Sequence, residues 1–312
     1  MRAVRFDEYG DRDVLYVTEV DTPTPEADRV VVKVVAAGIN PGEAGIRSGA
    51  LHERFPSTFP SGEGTDFAGV IDAVGSKVTE FSVGDDVYGW SWERSSHAEY
   101  LSVPTTQIVK KSAGLGWLEA GSLNVAGATA WAAAEAVDPQ PGQTIAVSGA
   151  AGGVGSVVVQ LLALKGVSVL AIASESNHAW LSSRGATPIA YGDGLKERIE
   201  SAAPDGVDAF IDLFGPEYID LALELGVAPE RIETIISFQR AAEVGTKTDG
   251  SVDGTSTEVM AELGELIAGG KLEFPIAATF SIEQIQDAFA LLEQRHTHGK
   301  IVLVMDPQAV AA

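Results

Sequence analysis

The sequence predicts an α/β fold: a barrel-like β domain into which a doubly wound parallel-sheet domain is inserted. Three observations predict it. The first is the run Thr144-Ile145-Ala146-Val147-Ser148-Gly149-Ala150-Ala151-Gly152-Gly153-Val154-Gly155, an apolar strand leading through a glycine turn into a helix that opens at Val154 and continues to Leu162. The second is the apolar stretch Val167–Ile172 behind it, which completes a βαβ unit. The third is a contrast. The first 112 residues are β-branched and punctuated by Gly and Pro, whereas strands and helices alternate after them.

The elements follow in order. Val30–Ala36 is a strand ending in the turn Gly38–Gly42, and Phe67–Gly75 is another, followed by Val83–Gly89. Leu118 to Ala136 reads as Ala-rich helix, broken by Asp138-Pro139-Gln140-Pro141-Gly142. Ile189–Tyr191, Ala209–Asp212 and Ile232–Phe238 are expected as further parallel strands. The polar stretch Gln239–Thr257, with Gly245, Gly250 and Gly254, is expected to be a mobile loop near the bound nucleotide. A helix over Ile282–Gln294 and a strand over Lys300–Val304 close the chain, the strand returning to the first domain. The expected domains are 1–115 with 272–312, and 116–271 for nucleotide binding. There is no internal repeat and no low-complexity segment.

Composition limits function. Net charge is −23, from 44 acidic and 21 basic residues, so the surface repels phosphate backbones and nucleic acid is excluded as a partner. No apolar run approaches the roughly 20 residues that span a bilayer, and Met1–Asp7 has no signal-peptide core. The expectation is a cytoplasmic protein with no membrane partner. The absence of cysteine excludes disulfides, thiol nucleophiles and Cys-ligated metal sites. In the glycine turn, backbone N–H groups at the helix start suit a pyrophosphate. Ala150 stands at the first place of G-x-G-x-x-G, and Gly152 and Gly155 at the other two, so Ala150, Gly152, Gly153, Val154 and Gly155 are candidate cofactor contacts.

Ala37-Gly38-Ile39-Asn40-Pro41 with Arg47-Ser48-Gly49, Gly64-Thr65-Asp66-Phe67-Ala68-Gly69-Val70-Ile71, Val83–Gly89, Gly127-Ala128-Thr129-Ala130-Trp131, the glycine turn and Gly299-Lys300-Ile301-Val302-Leu303 occur in one order over nearly the whole chain. In these motifs the sequence resembles the medium-chain dehydrogenase/reductase superfamily, in its zinc-independent NADPH:quinone oxidoreductase (zeta-crystallin-like) branch. The resemblance implies a GroES-like β-barrel catalytic domain and a Rossmann nucleotide-binding domain. It also implies hydride transfer from NADPH to a quinone or an α,β-unsaturated carbonyl, and a homodimer. Asn40, Thr65 and Thr129 would border the nicotinamide and the acceptor, with Asn40 donating to the acceptor oxygen and Thr129 seating the nicotinamide. From the residues alone, Asn40 before Pro41 equally fits an Asx turn, and Thr129 a helix cap or packing position.

Gly64-Thr65-Asp66 occupies the place where zinc members carry Gly-His-Glu, and there is no cysteine. His52 with Glu53, and His296 with His298, lie in polar segments without a third ligand at suitable spacing, so no metal site is expected. Without a Lewis acid the acceptor must already be electrophilic. Gly45 stands where several quinone reductases carry a Tyr; its loss enlarges the pocket and favours a bulkier enone, with Trp90 and Trp92 available as an aromatic wall or as packing.

For the cofactor, the resemblance matches Ser174, Asn177 and Tyr191 to positions that line the 2′-phosphate in the relatives, which implies NADPH over NADH. The Lys often found there is Asn177 here, and Glu175 is adjacent; His178 or Arg184 is left to supply a cation. Ser237 and Phe238 are candidate contacts at the nicotinamide end, Phe238 fitting a core position equally well. Two other uses stay open: a pathway-specific enone reductase of a bulky substrate, and a weakly active NADPH-binding sensor or structural protein.

Overall fold

The computed structural model describes residues 1–311. Two compact units emerge: Met1–Val125, Ser256–Lys271 and Pro275 onward form a β unit, and Ala126–Thr255 with Leu272–Phe274 form a nucleotide unit. Residues 116–125 and 256–271, expected in the inserted domain, belong instead to the β unit. The reason is packing: the helix Thr257–Ala268 accepts a hydrogen bond from Tyr88 at the Met260 carbonyl (2.8 Å).

In the β unit the strands are β1 (Arg2–Phe6), β2 (Tyr16–Glu19), β3 (Arg29–Gly38), β4 (Ser61–Gly62), β5 (Asp66–Val74), β6 (Asp86–Trp90), β7 (Tyr100–Pro104) and β8 (Ile108–Lys110). The valine run of β3 makes it central. Buried on both faces over most of its length, it pairs antiparallel with β5 and β7. Val30, Val32, Val34, Phe67, Ile71, Val87, Leu101 and Ile108 fill the core around it.

The nucleotide unit holds β9 (Thr144–Val147), β10 (Ser168–Ala173), β11 (Thr187–Ala190), β12 (Ala209–Asp212) and β13 (Ile232–Thr234). They form one parallel sheet in the order β11-β10-β9-β12-β13, so strand order reverses beside β9. That crossover puts a crevice at the carboxyl ends of the strands, where open α/β sheets bind ligands. The chain then returns to the β unit through β14 (Ile276–Phe280) and β15 (Lys300–Val304), and β15 pairs antiparallel with the end of β3.

Three element expectations are corrected. The strand expected over Ile232–Phe238 ends at Thr234, because the Thr234 hydroxyl takes the N–H groups of Ile236 and Ser237 and turns the chain (3.3 and 3.1 Å). Gln239–Thr257 is largely helical, with helices at Phe238–Val244 and Ser251–Gly254. Between them Lys247 exchanges backbone hydrogen bonds with Ile232 and Thr234, anchoring the segment to β13. The Ala-rich helix is two, Trp117–Ala120 and Leu123–Ala136. Among the described residues no helix is long and apolar enough to cross a membrane.

Candidate functional site

The glycine turn follows β9. Gly149 is left-handed (φ +60°), Gly152 N–H returns to its carbonyl (3.0 Å), and the helix Gly155–Leu164 begins at once. Gly155 is required sterically: a Cβ there would lie 2.2 Å from the Gly149 carbonyl oxygen. Ala150 is fully buried with its N–H on the Ile172 carbonyl (3.2 Å), so the first fingerprint place acts as a strut and tolerates a methyl group. The N–H groups of Ser156, Val157 and Val158 are taken by the Gly152 and Val154 carbonyls (2.9–3.1 Å), so what favours an anion here is the positive end of the dipole of this ten-residue helix at Gly155.

One side of this crevice is polar. Ser174 directly follows β10, its hydroxyl 2.9 Å from that of Ser176 and accepting from Asn177 Nδ2 (2.9 Å). The register Ala173↔Ala190 puts Ser174 level with Tyr191, whose side chain is half-exposed. The cations expected here are occupied elsewhere: Arg184 pairs with Glu273 (3.2 Å), and the His178 ring lies against the Ala173 carbonyl. Sequence reasoning missed Arg198. Its guanidinium spans the carbonyls of Ala190, Gly192 and Asp193 and puts positive charge at the end of β11. The signal was present: an Arg one turn into the helix Leu195–Ala202, just after the strand.

On the other side, β12 ends in the fully buried Asp212. Its carboxylate accepts from Ser148, Thr234 and Ser237 hydroxyls and from the N–H groups of Phe214 and Gly215, all at 2.8–3.0 Å. Ser237 is therefore buried with its hydroxyl turned to Asp212, while Phe238 is 50% exposed and not in the core. Thr129 is buried on the helix Leu123–Ala136.

The β unit holds a dense buried ionic cluster: Glu43, Arg47, Glu63, Asp66, His97 and Lys300. Asn40 caps the helix Pro41–Arg47, and its side chain is fully engaged. Nδ2 donates to Glu43 (3.2 Å) and Asp66 (3.1 Å), and Oδ1 accepts from Lys300. The expected donation from Asn40 to an acceptor oxygen does not fit this arrangement, because both amide hydrogens are spent within the fold. Thr65 lies on the same cluster through its N–H to Glu43 (2.9 Å), so Asn40 and Thr65 are brought together. Its hydroxyl makes no hydrogen bond within the protein among the described residues, which leaves it available to a ligand. The Asx-turn alternative is replaced by a helix cap in which Glu43 takes the Asn40 N–H (2.8 Å).

Burial raises the carboxyl groups of Glu43 and Asp66 above their ordinary range, opposed by Lys300 and by N–H donors, and burial lowers Lys300. Burial, with Glu43 nearby, pushes Glu63 up to about 8 despite its bond to Arg47 (3.0 Å). His97 is pushed down to about 4 by burial, with Nε2 3.0 Å from the Gly38 carbonyl, and is neutral at pH 7. The two act oppositely on stability. The folded state holds the Glu63 proton that the unfolded chain releases above about 4.5, so this contribution is lost as pH rises from there to about 8. The unfolded chain protonates His97 first, so its contribution is lost as pH falls from 6.5 to about 4. Above pH 6.5 His97 no longer contributes, and Glu63 acts in the same direction as Glu233, which burial also pushes up to about 8. Thermal melts of the wild type should fall between pH 6.5 and 8, and Glu63→Gln should make that limb shallower, leaving the part due to Glu233; parallel slopes would refute the assignment.

A zinc ion does not fit here. At Gly64-Thr65-Asp66 the donors are a neutral hydroxyl and a carboxylate engaged with Val125 N–H (2.9 Å) and Asn40, and Asn40 itself is spent. Gly64 has no room for a side chain, since a Cβ would come 2.3 Å from His97. His52 and His296 are exposed and His298 half-buried. Trp90 is buried, Trp92 is 45% exposed, and their rings meet edge-on at 6.4 Å. A Cβ at Gly45 would sit 3.0 Å from Leu51.

Residues 26–136 match the alcohol dehydrogenase GroES-like domain and 184–303 the zinc-binding dehydrogenase family. The chain is 31% identical to 2-methylene-furan-3-one reductase of Solanum lycopersicum, over 97% of this chain and 79% of that one. It is 32% identical to the chloroplastic NADPH-dependent alkenal/one oxidoreductase of Arabidopsis thaliana, over 98% and 80%. The quinone oxidoreductase structure from Coxiella burnetii superposes with a TM-score of 0.88 at 30% identity, covering 98% of this chain and 99% of that one.

Proposed function

The chain belongs to the medium-chain dehydrogenase/reductase superfamily, among its quinone and enone oxidoreductases, and we propose that it reduces a quinone or α,β-unsaturated carbonyl with NADPH and without a metal ion. One observation carries the reading: a dinucleotide turn closed by Gly155 occurs in a chain whose Gly64-Thr65-Asp66 site cannot hold zinc. NADPH supplies the hydride, and a solvent proton completes the reduced product.

This chain's residues bind and orient. Gly152, Gly153, Val154 and Gly155 cradle the pyrophosphate with Ala150 bracing the turn from behind, and Ser174, Asn177, Tyr191 and Arg198 receive the 2′-phosphate. Thr129, Ser237 and Phe238 serve the nicotinamide end. The Thr65 hydroxyl donates to the acceptor oxygen as negative charge develops there, the role its uncommitted state supports. Asn40 holds that corner of the β unit rather than touching the acceptor. A cytoplasmic homodimer is the assembly the resemblance supports. Because Lys247 already pairs with β13, sheet-to-sheet docking would involve the Lys247 segment rather than β13 itself.

The test is oxidation of NADPH and NADH at 340 nm with 1,4-benzoquinone, 9,10-phenanthrenequinone and a simple enone, in EDTA. Turnover with NADPH that survives the chelator is expected. Loss of turnover in EDTA would overturn the metal-free reading, and NADPH binding without turnover would leave a sensor. The two plant relatives favour an enone over a quinone, which the same panel ranks. Thr65→Val should lower kcat by about 100-fold with NADPH affinity unchanged; an unchanged kcat would remove Thr65 from the reaction.

A further inference from the structure

The geometry points to Asp212 as the positioning residue of the nicotinamide end of the cofactor site, an inference that rests on the NADPH reading above. Its carboxylate accepts five hydrogen bonds and, among the described residues, pairs with no cation. A buried carboxylate is tolerable only when such donors replace its hydration, and five of them satisfy it. The donors are distributed in a telling way. Ser148 directly follows β9, immediately before the glycine turn; Phe214 and Gly215 form the turn after β12; Thr234 ends β13, and Ser237 opens the segment beyond it. One side chain thus fastens the carboxyl ends of three adjacent strands at the crossover, where ligands bind in this kind of sheet.

The fastening continues outward. Ser148 Oγ, while donating to Asp212, accepts the Leu213 N–H (2.9 Å), and Thr234 Oγ1 accepts the N–H groups of Ile236 and Ser237. The backbone bearing Phe214, Ile236 and Phe238 is set by this network, and all three present exposed apolar side chains at the same strand ends. A fold needs no exposed apolar trio there, whereas a planar ring seated against the strand ends does. Asp212 touches none of these surfaces. It acts through Ser148, Thr234 and Ser237.

The test compares two ligands on the full chain: NADPH, and 2′,5′-ADP, which carries only the adenosine half. Asp212→Asn keeps the size but turns an amide toward hydroxyl donors. It should weaken NADPH about tenfold, leave 2′,5′-ADP within about twofold, and lower kcat. A merely structural role predicts equal loss of both ligands, and that result, or no loss of either, would overturn the assignment. If Asp212→Asn does not fold, Thr234→Val and Ser237→Ala each remove one hydroxyl and should show the same selectivity for NADPH. Equal effects on both ligands there would overturn it too. A wild type that binds neither ligand would instead refute the NADPH reading, and the proposal with it.

Discussion

Gly155→Ala is expected to abolish measurable NADPH binding by opening the turn, whereas Gly152→Ala should leave the turn intact and weaken NADPH less, through the methyl group's contact with the pyrophosphate alone. The two glycines occupy equivalent places in a sequence fingerprint but not in space. A methyl group at Gly155 would lie 2.2 Å from the Gly149 carbonyl oxygen and 2.8 Å from two backbone atoms of Ala150. None of these is a flexible side chain that can swing aside, so the turn itself must open. Overpacking of this kind costs about 1–3 kcal/mol in stability. The larger effect is on the ligand, because the displaced backbone is the surface that meets the pyrophosphate. At Gly152 the nearest atom is 3.4 Å away, an ordinary contact. Fluorescence titration with NADPH reads the difference, with a loss of at least about 100-fold expected for Gly155→Ala. Binding within a few-fold of wild type would mean that the pyrophosphate lies elsewhere.

What the sequence made legible was local. The turn Gly149–Gly155, the valine run of β3 and the return strand β15 each carry their signal within a few residues, and each forms where expected. The misread elements are those decided by distant partners. Ile232–Phe238 is apolar enough for a strand throughout, yet the Thr234 hydroxyl ends it, held by a carboxylate 22 residues away. The helix Thr257–Ala268 follows the nucleotide unit in sequence but packs on Tyr88, 172 residues earlier. Asp212 looks like any acid closing an apolar strand, since Ser148 lies 64 residues before it. Nor does sequence show that Asn40 is spent, because one of its partners, Lys300, is 260 residues away. A polar residue beside a motif can be named from sequence; whether its hydrogens are free depends on long-range contacts.

That long-range dependence is sharpest at Lys300, where Lys300→Met should destabilise the protein by about 3–5 kcal/mol. Lys300 is 5% exposed. Its ammonium donates to the Ile39 carbonyl (3.0 Å) and to Asn40, and lies 3.7 Å from Asp66. Methionine fills similar space without charge, so the loss is electrostatic rather than a cavity. Asp66 would be left in a buried site with its nearest cation gone, and Glu43 would lose the same support, so each must either carry an uncompensated charge or take up a proton. Both carboxyl groups are already raised by burial, and removing Lys300 raises them further. The folded variant would then hold protons that the unfolded chain releases, so its stability should fall more steeply with rising pH than that of the wild type. Urea unfolding at pH 6 and pH 8 should therefore show the larger deficit at pH 8. Lys300→Met combined with Asp66→Asn should recover part of the loss, because it removes the stranded charge along with the missing cation. If the double variant is no more stable than Lys300→Met alone, Asp66 is not the charge that Lys300 compensates, and the role of Lys300 reduces to its bonds with Ile39 and Asn40.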